Sequence, residues 1–544
     1  MPPSGRSLMC EGICFAMLRL LGRGAAGLGL AAGTCFVHSK IRESSEEDIS
    51  DSFGAGLPLT ALGNAVNYTG TMYQEFTGKP LSKFSLDKFK VDEVFRKEVD
   101  TYCGDMSAEE RQRIVGEYRR LAELFSGAEN DISNSPFSPL GRLVRVGAID
   151  KYMDNRKAIL DYCTQPERSF LLSSIMRTSV QTQESLQKSV GDVEESKAAD
   201  VEVEELRRRS LPVDAENGLL VVTGMHRTGS TLLQRLLALD PQCRSPMTWE
   251  MMQSVPPVQS RAQLTADPRL ERARGDLSMV EKLFCPNIWE KLSQVHHFHV
   301  DEVEEDFMVL MQLLVPFSTS FWHQNDELID AVLSARAYHR YKCRFIHIWF
   351  QMAASNGFRP ASHWITKNPD HAQYLDVLLE EFPQANVVVT HRDPKNVIGS
   401  WSKILPISHH YMIHNKYKGS DIPFSLTHAG LGKVCMQHML TSVTRMMAAR
   451  DRIAAADPKM AEERFVDVCF SELVKDPEGV IERIYKKFGY DFSDEFRDRI
   501  RKYKAEQPRH KRGKVRYCLE DVKLTKAEVD DKFSAYRERY GKFF

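Results

Sequence analysis

The sequence has no CxxC cysteine pair, no excess of charge of either sign and no internal repeat. Its 544 residues include 11 cysteines, an odd number. This usage argues against a disulfide framework or a cysteine zinc site and favours reduced, buried thiols. The formal net charge is −1, so no general attraction to nucleic acid or to an anionic membrane is expected. Any site for an anion must therefore be local.

The N-terminal apolar stretch predicts a targeting or anchoring segment. Residues 13–37 are apolar and rich in glycine and alanine, but Arg19 and Arg23 interrupt them. The uninterrupted part, residues 24–37, is shorter than the roughly 20 residues that a spanning helix needs. It suits a signal-peptide core, a weak signal anchor or a transit peptide, with an unstructured leader as the alternative. We expect membrane association through residues 13–37. The compartment stays open between the secretory pathway or a membrane anchor and the cytoplasm or mitochondrion.

Composition and local pattern divide the chain into four parts. With 42% apolar and 27% charged residues it is typical of a globular protein. Ser107, followed three positions later by Glu110, predicts a capping box that opens a long helix. The predicted parts are a leader with a linker (1–52), a helical segment (53–168), a charged linker or helix (169–215) and the main domain (216–544).

The main domain alternates between strand and helix patterns. Short apolar runs predict strands at residues 219–223, 364–366, 386–390 and 465–470. Helical spacing predicts amphipathic helices between them, one of which spans residues 370–382. Such alternation indicates an α/β fold, a parallel sheet with helices on both faces. Ligands of these sheets lie at the carboxyl ends of the strands.

A glycine-bracketed loop, GMHRTGST at 224–231, follows the first predicted strand and precedes a helix. This arrangement points backbone N–H groups and a helix N-terminus at one spot, which suits an anion. The spacing is that of a nucleotide P-loop, but Ser230 replaces the lysine that such a loop needs. Arg227 supplies a cation earlier, and its guanidinium can hold an oxyanion group with two hydrogen bonds. A simple packing turn is the alternative. The predicted anion ligands are Arg227, Thr228, Gly229, Ser230 and Thr231.

The loop GMHRTGSTLLQRLL resembles the 5′-phosphosulfate loop of sulfotransferases, in the branch of tyrosylprotein sulfotransferases and many bacterial proteins. TKNP at 366–369 and VVVTHRDPKNVIGSW resemble the lysine motif and the 3′-phosphate motif of that family, and the eight-residue separation of Arg392 and Ser400 matches. The resemblance covers most of residues 80–544. It implies a three-layer parallel sheet of P-loop-like sulfotransferase topology, preceded by a small all-α segment. It also implies transfer of a sulfuryl group from 3′-phosphoadenosine 5′-phosphosulfate to a hydroxyl or amine, without a metal.

The resemblance also assigns roles within the donor site. Lys367, assisted by Arg227, is expected to stabilise the bridging oxygen as the nucleotide leaves. Arg392 and Ser400 are expected to bind the 3′-phosphate. Phe470 stands where relatives commonly have tyrosine, so it is expected to stack on the adenine without a hydroxyl contact. A basic tail segment is a further candidate for the 3′-phosphate, with a solvated loop as the alternative; its residues are Lys511, Arg512 and Gly513.

Three residues are candidates for the general base that accepts the acceptor's proton. Glu250 is the first choice, because it lies in the segment where the tyrosylprotein branch has its catalytic glutamate. His297 and Glu305 are the runners-up, in the histidine-rich and acidic run 296–305. That histidine cluster is not expected to bind a metal, because its members share no clear face.

Two other functions remain open from the sequence. A P-loop kinase that uses ATP is disfavoured by the missing lysine and by the lack of a convincing Walker-B acid near a strand end. A non-catalytic nucleotide-binding relative is disfavoured because Arg227, Lys367, Arg392, Ser400 and Glu250 occur together. Acceptor and oligomeric state are left open, since loops rather than the fold determine the acceptor.

Overall fold

The computed structural model describes most of the chain from residue 91 onward. The described ranges are 91–130, 139–165, 218–283, 298–313, 326–355, 358–413, 428–506 and 518–544, with isolated positions between residues 67 and 296. The predicted targeting stretch at 13–37 lies outside them, as does nearly all of the predicted linker at 169–215. No helix among the described residues has the length and apolar character needed to cross a bilayer.

A four-stranded parallel sheet forms the centre of the main domain. Its strands run in the order β2-β1-β3-β4, so the glycine loop follows a central strand. The bounds are β1 (Leu219–Gly224), β2 (Trp364–Lys367), β3 (Asn386–His391) and β4 (Phe465–Cys469). The prediction of a parallel sheet with flanking helices is confirmed.

Alternate residues of the strands enter two separate hydrophobic cores. In β1, Leu219 and Val221 belong to one core, whereas Leu220 and Val222 belong to the other. Because successive side chains of a strand point to opposite faces, a strand with apolar residues at successive positions must be covered on both sides. Val388, in the neighbouring β3, joins the second core. The sheet is therefore the middle of three layers.

Ten helices of the described residues lie before and around the first strands, and short loops join several of them. They are α1 (Arg96–Tyr102), α2 (Ala108–Asn130), α3 (Pro139–Cys163), α4 (Ser230–Leu237), α5 (Thr248–Met252), α6 (Gln263–Ala266), α7 (Pro268–Leu283), α8 (Phe307–Leu310), α9 (Asp326–Ser334) and α10 (Arg336–Ala354). A π-helical turn at Val91–Phe95 leads into α1.

The helices after β2 complete both outer layers. They are α11 (Leu375–Glu381), α12 (Pro394–Ile413), α13 (His428–Ala456), α14 (Pro458–Glu463), α15 (Phe470–Lys475), α16 (Pro477–Phe488), α17 (Asp494–Glu506), α18 (Lys526–Lys532) and α19 (Ser534–Tyr540). Short 3-10 turns lie at Pro369–Tyr374, Glu520–Val522 and Gly541–Phe543.

The helical segment packs into the same core as one face of the sheet domain. Arg344 of α10 is 1% exposed and makes two hydrogen bonds to Asp105, of 2.8 and 3.0 Å. Glu117 of α2 accepts a hydrogen bond from the backbone N–H of Tyr338 at 2.8 Å. Buried charges require partners, so these contacts fix the segment against α10. The domain boundary at residue 216 stays a prediction.

Two predicted elements differ in detail from the structure. The helix expected over 370–382 is a 3-10 turn, Pro369–Tyr374, that continues as α11. Asn368 caps this turn by accepting a hydrogen bond from the N–H of Asp370 at 2.9 Å. The last strand ends at Cys469, because Phe470 already begins α15. The predicted capping box is partly present, since the N–H of Glu110 donates to the Ser107 hydroxyl at 3.2 Å.

Candidate functional site

The glycine loop is pressed against neighbouring elements on both sides. Gly224 has a φ of +135°, and a Cβ at this position would lie 2.4 Å from the carbonyl oxygen of Thr390 in β3. Gly229 has a φ of +91°, and a Cβ there would lie 2.8 Å from the ring of Phe470. Both positions therefore require glycine for backbone conformation and for space. Arg227 also has a positive φ, +66°, which is uncommon for a residue with a side chain.

The helix that follows the loop begins without a side-chain cap. Gly229 is the N-cap of α4 and has no side chain to accept from the first N–H groups. Those groups and the positive end of the helix dipole favour an anion. Ser230 is nearly buried, and the Thr231 hydroxyl accepts a hydrogen bond from Lys367 at 3.2 Å. The start of α4 therefore offers backbone donors and a nearby cation to one anionic group.

The Thr228 side chain serves the loop itself. It is fully buried, its hydroxyl donates to the carbonyl oxygen of Met225 at 2.6 Å, and it shares a 2.6 Å hydrogen bond with the Thr390 hydroxyl. These contacts tie the loop to β3. Only its backbone N–H is then suited to an anion.

Four predicted donor-site residues from distant segments meet beside the loop. The Nε of Arg227 donates to the Ser400 hydroxyl at 3.0 Å. One Nη of Arg392 donates to the carbonyl oxygen of Arg227 at 2.9 Å. The Arg392 guanidinium also lies over the ring of Phe470, 4.1 Å from its centroid. Two guanidinium groups, a hydroxyl and an aromatic face thus line one place at the carboxyl end of the sheet.

Local sequence explains why Arg392 and Ser400 face this place. Arg392 directly follows β3, and α12 begins two residues later at Pro394. Asp393 accepts a hydrogen bond from the N–H of Lys395 at 3.0 Å, which caps the helix, and proline suits its first turn. Ser400 lies six residues into α12, so it faces back toward the strand end.

Lys367 connects the loop with two carboxylates. It ends β2, pairs in register with Val222 of β1 and is fully buried. Its Nζ donates to Thr231, to Glu304 at 3.5 Å and to Glu305 at a shorter distance. A buried ammonium needs such partners to offset its lost hydration. The lysine therefore stands between the start of α4 and an acidic pair.

The two carboxylates differ in environment. The Glu304 side chain is 6% exposed, whereas that of Glu305 is 20% exposed. Burial alone raises the pKa of Glu304, but Lys367 and His296 outweigh it and hold the pKa below its ordinary value. His296 lies 3.6 Å from the second oxygen of Glu304. Glu304 is thus held as an anion by its partners, and Glu305 is the carboxylate that reaches the accessible side.

Glu250 lies in a different environment. Its side chain is 2% exposed and pairs with Arg244, and its other oxygen accepts from the N–H of Met247 at 3.4 Å. Arg244 is itself held by the carbonyl oxygens of Ala353 and Phe358. Both oxygens of Glu250 are therefore used within a closed network. Its predicted role as base stays a prediction that this geometry does not favour.

The remaining predicted site residues lie outside the described ranges. They are His297, Lys511, Arg512 and Gly513.

A buried carboxylate that sequence reasoning missed orders the segment around Lys367. Asp306 accepts hydrogen bonds from Thr366 at 2.6 Å, from Asn368 at 2.8 Å and from the Nε2 of His371 at 2.7 Å. Burial alone lowers the pKa of His371, but Asp306 outweighs it and raises this pKa overall. The sequence signal was present, because Asp306 directly follows the acidic run that ends at Glu305. Its partners come from a separate segment, so only the structure reveals the network.

Comparisons with known proteins agree on one family. A model described as "Sulfotransferase family" matches residues 220–494. The omega-hydroxy-beta-dihydromenaquinone-9 sulfotransferase Stf3 of Mycobacterium bovis is 26% identical over 352 residues, which cover 62% of this chain and 78% of that protein. The protein of the same name from Mycobacterium tuberculosis matches to the same extent. Among solved structures, sulfotransferase STF1 from M. tuberculosis has a TM-score of 0.53 and 19% identity, covering 83% of this chain and 99% of its own. This last likeness supports the fold alone.

Proposed function

The chain belongs to the sulfotransferase family, and on this premise we propose that it transfers a sulfuryl group from 3′-phosphoadenosine 5′-phosphosulfate to a hydroxyl or amine acceptor. The observation that carries the proposal is the meeting of Arg227, Arg392, Ser400 and Phe470 beside the start of α4. A donor with phosphate groups at both ends of one nucleoside needs cations contributed by two segments.

The residues suit the two ends of this donor differently. The loop N–H groups, the start of α4 and Lys367 are suited to the 5′-phosphosulfate. Arg392 and Ser400 supply a guanidinium and a hydroxyl to a dianionic 3′-phosphate. The Phe470 ring offers a stacking face to the adenine. Such a charge pattern explains how a chain with a net charge of −1 binds a polyanion.

The proposed step is an in-line displacement at sulfur. The acceptor oxygen or nitrogen forms a bond to sulfur, and the bond from sulfur to the bridging phosphate oxygen breaks. Negative charge then develops on the leaving adenosine 3′,5′-bisphosphate. Lys367 stabilises that charge, because preorganised cations act most strongly in a buried site. Its hydrogen bond to Thr231 aligns it with the phosphosulfate loop.

We assign the base to Glu305 rather than to Glu250. Glu305 contacts Lys367, and its carboxylate is more exposed than that of Glu304, so an acceptor can approach it. It takes the proton that the acceptor loses as the new bond forms. Glu304 balances part of the Lys367 charge without itself facing the acceptor.

A hydroxyl is the acceptor group that we favour. The name of the Mycobacterium relative specifies an omega-hydroxy substrate for that protein. Loops outside the matched motifs shape the acceptor side, so a panel of hydroxyl acceptors identifies the rest of the substrate.

Nucleotide binding and sulfate transfer test the proposal together. The purified chain should bind adenosine 3′,5′-bisphosphate in preference to ATP with Mg²⁺, by calorimetry. Radiolabelled sulfate should then move from the donor to at least one hydroxyl acceptor in a chemical panel. Preference for ATP with Mg²⁺ would instead favour a kinase. Bisphosphate binding without transfer to any acceptor class would favour a non-catalytic relative.

Lys367→Ala tests the assigned leaving-group role. Because the stabilised charge appears only in the transition state, kcat should fall by a factor of 100 or more while donor binding changes less. Lys459→Ala, at an exposed lysine of α14, is the matched control and should leave both quantities unchanged. Equal losses in binding and in kcat/KM, with kcat preserved, would contradict the role.

A further inference from the structure

Three side chains of metal-ligand type meet beside the glycine loop. His226 belongs to the loop, Asp370 to the 3-10 turn after β2, and His438 to α13. One ligand atom from each lies within 4.8 Å of the others. We propose that these residues bind a divalent transition-metal ion, with Zn²⁺ as the expected occupant. The site goes beyond sulfuryl transfer and does not depend on the assigned activity.

The ligand types select the class of ion. Two imidazoles with one carboxylate form a common zinc ligand set, in which a fourth position is left for water. Magnesium and calcium prefer oxygen ligands and are poorly served by two nitrogens. Imidazole and carboxylate together therefore favour zinc and its first-row neighbours.

The His226 imidazole is buried, and one of its ring nitrogens makes no hydrogen bond within the described residues. His226 is 9% exposed, and its Nδ1 has no hydrogen-bond partner within the described part of the chain. The ring centroid lies 4.3 Å from that of Trp401 and 5.1 Å from that of His438, so packing fixes its orientation. Leaving a buried polar nitrogen unsatisfied costs stability, and a bond to a metal would remove that cost.

Burial disfavours the charged form of both imidazoles. Burial lowers the pKa of His438 to about 3. Burial, followed by His438 and nearby cations, also lowers the pKa of His226 well below its ordinary value. Neutral imidazole is the form that ligates a metal.

The surrounding charges make Asp370 the decisive ligand. Lys367 and Arg227 both act on His226 as nearby positive charges, and they oppose a divalent ion. Lys342 is buried and interacts electrostatically with Asp370, so it adds to the positive charge around the site. The Asp370 carboxylate is the negative charge within the ligand set. Without it, the ion would enter a site with no anionic ligand.

Metal binding would draw three elements together. Zinc bonds to nitrogen and oxygen are about 2.0–2.2 Å long, so tetrahedral ligand atoms lie roughly 3.4 Å apart. The present spacing closes to that value with movements of about 1 Å. The ion would link the glycine loop, which carries Arg227, to the long helix α13. The inferred role is to brace the loop from the side of α13.

Metal titration of the full chain tests the site. After chelation, the chain should bind one equivalent of Zn²⁺, and added Zn²⁺ should raise its melting temperature. Asp370→Asn and His438→Ala should each lose that equivalent. Gln437→Ala, at an exposed neighbour of His438 on the same helix, is the matched control and should retain it.

Cobalt substitution keeps the test decisive even where a variant fails to fold. Co²⁺ bound to the unaltered chain should give visible absorption bands of nitrogen and oxygen ligation, without a sulfur-to-cobalt charge-transfer band. A sulfur band would assign the ion to cysteines and overturn the proposal. Failure of the unaltered chain to bind either ion would overturn it as well, as would unchanged binding by folded Asp370→Asn.

Discussion

At the scale of single residues, the site depends on which charges are already paired. Glu250 and Glu305 are both glutamates near the sheet edge, yet one is enclosed by Arg244 and the other reaches Lys367 from the accessible side. Sequence motifs cannot separate them, because Arg244 also contacts segments more than 100 residues away in the chain. Conversely, Arg392 and Ser400 could be predicted, because a single turn and helix set their separation.

Substitution of the two glutamates distinguishes their roles. Glu305→Gln should lower kcat by a factor of 100 to 10,000, the range typical for loss of general base catalysis, and should leave bisphosphate binding largely intact. Glu250→Gln should instead lower the melting temperature, because breaking a buried ion pair costs about 3–5 kcal/mol. Steady-state kinetics and thermal unfolding of both variants provide the measurement. A stable Glu250→Gln chain with a selective kcat loss would return the base to Glu250.

Arg392→Ala should weaken binding of adenosine 3′,5′-bisphosphate. Loss of a charged hydrogen bond to phosphate costs about 1.5–3 kcal/mol, equivalent to a factor of roughly 10 to 160 in Kd. Calorimetry measures this change. Arg499→Ala, at a half-exposed arginine paired with Glu495 on α17, should leave Kd unchanged. If Arg392→Ala bound the bisphosphate as tightly as the unaltered chain, Arg392 could not be assigned to the 3′-phosphate.

At the scale of elements, the strands could be predicted from short apolar runs rich in β-branched residues. The start of the helix after β2 could not, because a side-chain cap determines it. The strands at β1 and β3 followed from apolar runs buried on both faces. The helix after Lys367 was not fully predicted, because its first turn is 3-10 and its cap is Asn368. The proposed metal ligands could not be predicted from local sequence patterns, because they belong to three elements far apart in sequence. Local residue spacing thus predicts individual helices and strands, whereas contacts between them can be identified only from the folded structure.

The glycine loop should tolerate no side chain at Gly229. A positive φ of +91° and the nearby Phe470 ring make Gly229→Ala strained, at a cost of about 1–3 kcal/mol. Bisphosphate affinity should fall accordingly, measured by calorimetry. Gly127→Ala in α2, where an added Cβ has open space and φ is ordinary, should be neutral or slightly stabilising. Equal behaviour of the two variants would show that the loop does not need its left-handed turn.

At the scale of the whole molecule, buried neutral histidines link stability to pH. His363 is fully buried and stacks on Tyr490 with 3.9 Å between ring centroids. Burial lowers its pKa from 6.5 to about 3. Between these pH values the unfolded chain binds a proton that the folded chain does not. The stability contribution is therefore complete above pH 6.5 and falls as the pH decreases.

This linkage predicts a measurable slope. Denaturant unfolding should show stability declining below pH 6.5, with His363 contributing up to about 1.4 kcal/mol per pH unit. His363→Gln should reduce the slope, whatever its effect on stability at pH 7. His299→Gln, at an exposed histidine, serves as the control and should preserve the slope. An unchanged slope in His363→Gln would contradict the assignment.

The contact between Arg344 and Asp105 bears on how the protein can be shortened for laboratory work. Trimming the chain to the family-matched portion would remove Asp105 and Glu117 and leave the Arg344 guanidinium with only one of its two carboxylate partners, Glu381. Such a fragment would also expose the apolar side of α10. Fragments for expression should therefore start before residue 91. Poor solubility of shorter fragments would reflect the loss of the helical segment that covers α10.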